Sequence, residues 1–179
     1  MCIRDSNNRA GVDSVLRARA NECAPFENVY TLALRGLHDR AMKASNNMSD
    51  RKQMLQDALM AQRKMLIDAT GKRGEDIPQA FTPYKEVLDV YDEGLELPDD
   101  VTIIWPDDNY GYMKRLSSPK EQKRSGRSGV YYNSSYLGKP HDHLWMNTTS
   151  PTLMYEELRK AYDMTADRIW LLNAGDIKA

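Results

Sequence analysis

The sequence predicts a parallel α/β fold in which strands alternate with helices along the chain. Four short apolar segments have the β-branched and aromatic composition of strands. They are Val29–Ala33, Val101–Trp105, Val130–Tyr132 and Ile169–Leu172. Helical patterns lie between them, and such alternation is typical of parallel crossovers. A doubly wound sheet and a partial (β/α)8 barrel of the TIM type both fit, although about four strands are too few to close a barrel.

Helix boundaries are predicted from apolar spacing and from end signals. Apolar residues at helical spacing predict a helix over residues 49–71, where a glycine ends it. Thr82–Pro83 and Ser150–Pro151 each combine a cap residue with proline at the first helical position, so each is expected to begin a helix. Ser118–Glu121 has the pattern of a capping box before a short helix.

The two ends of the chain suggest a piece of a longer domain. Residues 1–6, Met-Cys-Ile-Arg-Asp-Ser, resemble translated sequencing adaptor and are expected to be non-native. We expect residues 7–28 to form a lead-in segment. Residues 29–179 are expected to form part of a barrel domain that is truncated at both ends, because the last strand lacks its following helix.

Composition excludes several classes of partner. The 179 residues are 41% hydrophobic and 28% charged, with a formal net charge of −1. Since Lys and Arg are scattered among Asp and Glu, we expect neither a nucleic-acid surface nor a membrane-binding one. The glycine-rich fingerprints of dinucleotide and phosphate-binding loops are absent from the sequence.

Polar side chains follow the predicted strands, where ligands bind in parallel α/β folds. The residues at these positions are Arg35, Asp39, Asp107, Asp108, Asn109, Tyr131, Tyr132, Tyr136, Asn173 and Asp176. Tyrosine and asparagine combine flat apolar faces with paired donors and acceptors. That combination favours a hydroxyl-rich sugar over a phosphate or a lipid.

Two charged residues each allow two interpretations. Arg35 is suited to bind a carboxylate ligand in a bidentate manner, or it is an ordinary partner of Asp39 four residues on. Glu86 lies in the first turn of the helix predicted from Thr82, so it either stabilises that helix end or acts as a general acid. The helix dipole and Lys85 favour an ionised carboxylate, whereas a general acid must carry a proton.

Histidine and serine chemistry are not supported by spacing. His38, His141 and His143 lack a further ligand at metal-binding spacing, so no metal site is predicted. Ser134 and Ser135 are not in the strand–turn–helix motif of acyl-transfer nucleophiles.

A series of motifs in one order carries a family resemblance. The motifs are Tyr30–Gly36, Pro83–Leu88, Asp107–Tyr112, Gly129–Tyr132, Ser135–Gly138 and Trp170–Asp176. From about Val29 to Ala179, the chain resembles the catalytic barrel of the α-glucuronidases of glycoside hydrolase family 115. The family commonly has histidine where this chain has Asn133.

The resemblance implies a function and a set of site residues. It implies an inverting hydrolase, with no metal or organic cofactor, that removes glucuronic acid or 4-O-methylglucuronic acid from glucuronoxylan. Arg35 would hold the uronate, Glu86 would be the general acid, and Asp39 and Asp108 would activate water or support the site. The sugar-binding residues would be Tyr84, Asn109, Tyr131, Tyr136 and Asn173. The alternative is a protein that binds uronosyl xylan without turnover.

Further expectations concern the whole protein. Members of this family are commonly secreted or periplasmic and often homodimeric, so the resemblance implies both. The isolated 179-residue chain is expected to be inactive, because a part barrel exposes strand edges and lacks part of its site.

Overall fold

The computed structural model describes residues 8–36, 41–42, 47–134, 147 and 149–174. Its helices and strands, numbered in chain order, are α1 Arg9–Cys23, β1 Tyr30–Leu32, α2 Met48–Thr70, β2 Gln79–Phe81, α3 Glu86–Asp92, β3 Thr102–Pro106, β4 Ser128–Asn133, α4 Pro151–Asp163 and β5 Trp170–Asn173. None of these helices is long and apolar enough to cross a membrane. Helix α1 occupies most of the predicted lead-in segment.

The first of two compact units comprises Met1–Phe81 and Lys85–Val101. Strands β1 and β2 pair in parallel here, with Tyr30 opposite Gln79. Helix α2 makes the connection between them, as parallel pairing requires. The predicted strand and helix of this part of the chain, β1 and α2, are confirmed, whereas strand β2 was not predicted.

Helix α2 has the apolar face and the end that the sequence predicts. Its buried residues are Leu55, Ala58, Leu59, Gln62, Met65 and Leu66. The helix ends at Gly71, whose φ of 66° is left-handed and suits a residue without a side chain. The side chain of Asn47 accepts a hydrogen bond from the Ser49 amide at the other end, at 3.0 Å. This cap satisfies one of the amides that a helix start leaves without a partner.

The second unit comprises Thr82–Tyr84 and Thr102–Ala179. Its three strands lie side by side in the chain order β3, β4, β5, and both pairings are parallel. Each strand therefore pairs with its sequence neighbour in the same direction, as in a barrel, whereas a doubly wound sheet reverses its order at a switch point. The predicted fold class, a partial parallel α/β barrel, is confirmed.

Strand β2 makes five strands where the sequence predicts about four. It is only three residues long, Gln79–Phe81, and all three are buried. The Gln79 side chain donates to the carbonyls of Gly74 and Ile77 at 2.8 and 3.0 Å. A short segment that begins with a polar residue and contains no β-branched residue lacks the pattern by which strands are found.

Helix α3 begins at Glu86, three residues after Pro83, the first helical residue that the sequence predicts. The amide of Tyr84 donates to the Thr82 carbonyl at 3.0 Å, which is the bond of a tight turn rather than of a helix. Lys85 then has φ 52° and ψ −124°, outside the helical region. The prediction of Thr82 as helix cap is therefore wrong.

The capping box at Ser118–Glu121 is confirmed in its hydrogen bonds. The Ser118 amide donates to the Glu121 carboxylate at 2.6 Å, and the Glu121 amide donates to the Ser118 hydroxyl at 3.4 Å. Residues Glu121–Lys123 then form a single turn of 3-10 helix rather than an α-helix.

Strands β4 and β5 approach closely at Gly129. A Cβ atom on Gly129 would lie 2.0 Å from the carbonyl oxygen of Ile169 and 3.0 Å from the side chain of Ile104. Because the nearest atom belongs to the backbone, it cannot rotate away as a side chain would. Glycine is therefore required here for strand packing.

We expect Gly129→Ala to lower the free energy of unfolding of the full-length protein by ~3 kcal/mol, because strand β5 must move away. Thermal unfolding measures the change. Gly74→Ala is the comparison, since the atom nearest its Cβ would belong to the end of the Arg63 side chain, at 2.5 Å, rather than to the backbone. Equal unfolding temperatures for the two variants would contradict this account of Gly129.

Candidate active site

The chain that leaves β1 is fixed by a side chain of helix α2. The Ala33 amide donates to Gln62 Oε1 at 3.0 Å, and Gln62 Nε2 donates to the Ala33 carbonyl at 2.7 Å. Gln62 is buried, so both bonds are sheltered from competing water. Helix α2 thereby fixes the backbone two residues before Arg35.

Arg35 forms a two-point ion pair with Glu86. Its Nε donates to Glu86 Oε1 at 3.1 Å, and a terminal nitrogen donates to Oε2 at 3.4 Å. Both side chains are 20% exposed, so solvent still reaches the pair. Of the two interpretations of Arg35, one named Asp39 as its partner, and Asp39 lies outside the described residues. The bond to Glu86, 51 residues away, was not foreseen.

Glu86 is presented by a strained turn. It is the first residue of α3, as its predicted place in the first helical turn requires, and it follows Lys85. The positive φ of Lys85 is a conformation that glycine adopts without cost and that a side chain disfavours. Such strain persists where the surrounding contacts require it. Here the strained residue immediately precedes Glu86, the first residue of α3, which bonds to Arg35.

In the second unit, Asp108 organises the loop after β3. Its Oδ1 accepts from the amides of Tyr110 and Tyr112 at 2.9 and 3.1 Å, and its Oδ2 lies 3.5 Å from Lys114 Nζ. Asn109 has a φ of 67° within this turn, a conformation that asparagine tolerates. The carboxylate that the sequence nominates for water activation or support thus already binds two backbone amides.

Asp107 is the buried carboxylate of this region. It is 4% exposed, its Oδ1 accepts from Asn133 Nδ2 at 2.5 Å, and its Oδ2 accepts from the Gly111 amide at 3.2 Å. Burial raises the pKa of Asp107 above its usual range, and the hydrogen bonds from Asn133 and Gly111 oppose that rise.

A chain of side-chain amides continues from Asp107 across the ends of the strands. Asn173 Nδ2 donates to Asn133 Oδ1 at 2.9 Å, and Asn133 Nδ2 also lies 3.4 Å from Asn109 Oδ1. Asn109 Nδ2 in turn donates to the Tyr84 hydroxyl at 3.1 Å. We call these five residues, Tyr84, Asp107, Asn109, Asn133 and Asn173, the amide network. It connects three of the predicted sugar-binding residues.

The two tyrosines of β4 have opposite environments. Tyr131 is 36% exposed, whereas Tyr132 is buried and its hydroxyl donates to the Gly111 carbonyl at 2.9 Å. Burial raises the pKa of Tyr132 to about 12, so it stays a neutral donor. Tyr131 is accessible to a ligand, while Tyr136 lies outside the described residues.

Asp107 was placed at a strand end from the sequence, and Asn133 was noted for its difference from the family, but neither was nominated as a catalytic or sugar-binding residue. Asp108, the neighbour of Asp107 in the same motif, was nominated instead. Asp107 directly follows β3, and Asn133 is the last residue of β4. Because β3 and β4 are neighbours in the sheet, the order of the strands could have predicted that these two residues meet. Within the described ranges, no group of three or more His, Cys, Asp or Glu side chains is arranged to hold a metal ion.

The comparisons with known proteins agree on one family. The model of glycosyl hydrolase family 115 matches residues 4–179. A solved structure, a family GH115 4-O-methyl-α-glucuronidase with specificity for decorated arabinogalactans, is similar with a TM-score of 0.91 and 44% identity over 96% of this chain. This chain spans 23% of the length of that protein. No curated protein matches the sequence significantly.

The raised pKa of Asp107 predicts a pH dependence of stability. Folded Asp107 keeps its proton to a higher pH than the unfolded chain, in which aspartate titrates near ~3.9. The stability linked to this group is therefore full below the unfolded pKa and is lost as pH rises through the folded pKa. We expect the stability of Asp107→Asn to lack this decrease with rising pH.

Unfolding temperature measured against pH for the full-length wild type and for Asp107→Asn tests this expectation. Asp163→Asn, at an exposed position of α4, controls for the loss of a carboxylate elsewhere. A wild type that gains stability relative to Asp107→Asn as pH rises through this window would contradict it.

Proposed function

Because this chain belongs to glycosyl hydrolase family 115, we propose that the protein carrying it removes α-linked glucuronic acid, or its 4-O-methyl ether, from a decorated polysaccharide. The observation that carries the proposal is the ion pair of Arg35 and Glu86 after strand β1. It brings together a cation suited to a uronate carboxylate and a carboxyl group suited to proton transfer.

Arg35 is assigned to the carboxylate of the uronic acid. Its guanidinium already makes a two-point contact with a carboxylate, that of Glu86, which supports a binding geometry that a uronate would share. A neutral glucosyl unit offers no such partner. Arg35 therefore accounts for selection of a uronic acid over a neutral sugar.

Glu86 is assigned to general acid catalysis. Glu86 is bonded to Arg35. A substrate carboxylate that takes over Arg35 displaces Glu86 from this pair, so that its carboxyl group can face the leaving oxygen. A neutral sugar has no carboxylate with which to displace it.

The sugar hydroxyls are assigned to amide and phenol side chains. Tyr84, Asn109 and Asn173 belong to the amide network, and Tyr131 is accessible on β4. Tyr136 remains part of this assignment by resemblance. Amides and phenols can donate to and accept from a ring of hydroxyls, which supports a carbohydrate ligand.

An inverting reaction needs a second carboxylate about 6.5–9.5 Å from the acid to activate water. Asp39, which lies outside the described residues, is a candidate for this role by resemblance alone, as is a carboxylate supplied by other parts of the full-length protein. Asp108 is assigned to support, because its Oδ1 accepts from two loop amides. Proton NMR during hydrolysis distinguishes the two outcomes, since inversion releases the β-anomer first and retention releases the α-anomer.

Two polysaccharides are candidate substrates. Glucuronoxylan follows from the family resemblance, whereas the 44% identity to an enzyme with specificity for decorated arabinogalactans favours a glucuronate-bearing arabinogalactan. Release of free uronic acid from each, by the full-length protein, decides between them. A homodimer is a further proposal from the resemblance, and sedimentation of the full-length protein tests it.

We expect Glu86→Gln to lower kcat by ~10²–10⁴-fold while the protein stays folded, because glutamine keeps the shape but cannot give a proton. The assay is uronic acid release from the preferred polysaccharide, with circular dichroism to verify folding. Glu93→Gln, at an exposed position after α3, is the matched control and should retain activity. Unchanged turnover in Glu86→Gln would remove Glu86 from the mechanism.

Binding by a wild type that releases no uronic acid from any of these polysaccharides would instead favour the alternative, a uronosyl-binding protein without turnover.

We expect Arg35→Met to raise KM for the uronosyl substrate by ~10–100-fold, the loss of one charge-assisted pair of hydrogen bonds. Cleavage of a 4-nitrophenyl α-glucuronide and of the matching α-glucoside gives the ratio of kcat/KM for the two. The ratio should fall in Arg35→Met and stay unchanged in Arg51→Met, a control on α2. A ratio that survives the loss of Arg35 would show that another group selects the uronate.

A further inference from the structure

We propose that Asp107 is a positioning residue whose single charge sets the direction of the side-chain amides of Asn133, Asn109 and Asn173, and thereby their contacts with the sugar. The proposal rests on the proposed function for the identity of the ligand. Asp107 itself does not contact the substrate in this account. It acts through the amide network.

The direction of the network follows from what each group can do. An ionised carboxylate only accepts hydrogen bonds, whereas a side-chain amide has a donor end and an acceptor end. Asn133 must therefore turn its nitrogen toward Asp107, where the two atoms lie 2.5 Å apart. Its oxygen then faces Asn173, so Asn173 must present its own nitrogen, at 2.9 Å.

The same constraint extends to the loop after β3. The nitrogen of Asn133 also lies 3.4 Å from Asn109 Oδ1, which leaves the nitrogen of Asn109 directed at the Tyr84 hydroxyl, at 3.1 Å. Three amides, each of which could otherwise be rotated by half a turn, thus share one direction. One charge specifies all three.

Asp107 is itself held in place by hydrogen bonds, so its position can set the direction of the amide network. Its backbone amide donates to the Tyr131 carbonyl at 3.1 Å, and its Oδ2 accepts from the Gly111 amide at 3.2 Å. Gly111 has a φ of +88° and a Cβ there would lie 2.9 Å from Thr149 Cγ2 and from the Tyr132 hydroxyl. The amide that donates to Asp107 Oδ2 therefore belongs to a position that only glycine suits, Gly111.

These contacts also distinguish Asp107 from a water-activating base. Both of its oxygens accept hydrogen bonds from within the protein, and the residue is 4% exposed. A base must reach a water molecule that faces the sugar. The geometry instead suits a group that orients its neighbours.

The test is Asp107→Asn in the full-length protein. Asparagine keeps the shape but offers a donor end as well as an acceptor end, so the direction of Asn133 is no longer imposed. We expect KM for the uronosyl substrate to rise at least ~10-fold with kcat changed less, since contacts made in both ground and transition states are lost. The protein should unfold no more readily at neutral pH than the wild type.

Glu121→Gln is the matched control, because it also replaces a mostly buried carboxylate of the second unit, one that binds Arg115 and the Ser118 amide outside the network. Its KM should equal that of the wild type. A KM for Asp107→Asn that equals that of Glu121→Gln would overturn the proposal, and so would a fall in kcat alone.

A second measurement separates this proposal from the proposed function. Crystal structures of wild type and Asp107→Asn at about 1.2 Å resolution or better distinguish amide nitrogen from oxygen. We expect one orientation of Asn133 and Asn173 in the wild type, and a reversed or mixed orientation in the variant. If the wild type cleaves no uronoside, the proposed function fails, while unchanged amides in the variant would still overturn the role of Asp107.

Discussion

The close approach of strands β4 and β5 at Gly129 is the constraint on which the second unit depends. With no side chain at this position, the backbone of Ile169 can lie where a Cβ atom would otherwise stand. That contact accompanies a register in which Asn133 lies opposite Asn173 four residues later. The amide pair at the strand ends, and with it the arrangement of candidate sugar-binding side chains, is therefore tied to a packing contact in the interior of the strands.

Local chemistry made much of the fold predictable. Gly71 ends α2, Pro151 begins α4, and Ser118 bonds with Glu121 as the capping pattern predicts. Each of these signals concerns residues within four positions of one another, where backbone geometry and side-chain hydrogen bonds act without the rest of the chain. The strands were also found where apolar runs are long enough to show their composition. Strand β2, with three residues, is shorter than that.

The candidate site was predicted in its residue types and not in its connections. Arg35 and Glu86 were both nominated, but the bond between residues 51 positions apart has no local signature. Asp107 was noted at a strand end and passed over in favour of Asp108, although the structure engages Asp108 with the loop amides and buries Asp107. Successive side chains along a strand point to opposite faces of the sheet, so which of two adjacent carboxylates is buried depends on where the strand before them ends. The end of an element is the part of it that sequence predicts least well.

The pairing of Asp107 with Asn133 also limits how this protein can diverge. Replacing either residue with an apolar one leaves the other as a buried polar group without a matching partner, which costs about 1–3 kcal/mol. Lineages that alter one of the two are therefore expected to have altered the other, through an intermediate tolerated by spare stability. Asp107, which does not contact the sugar in the proposed role, would then change together with Asn133, whose amide does.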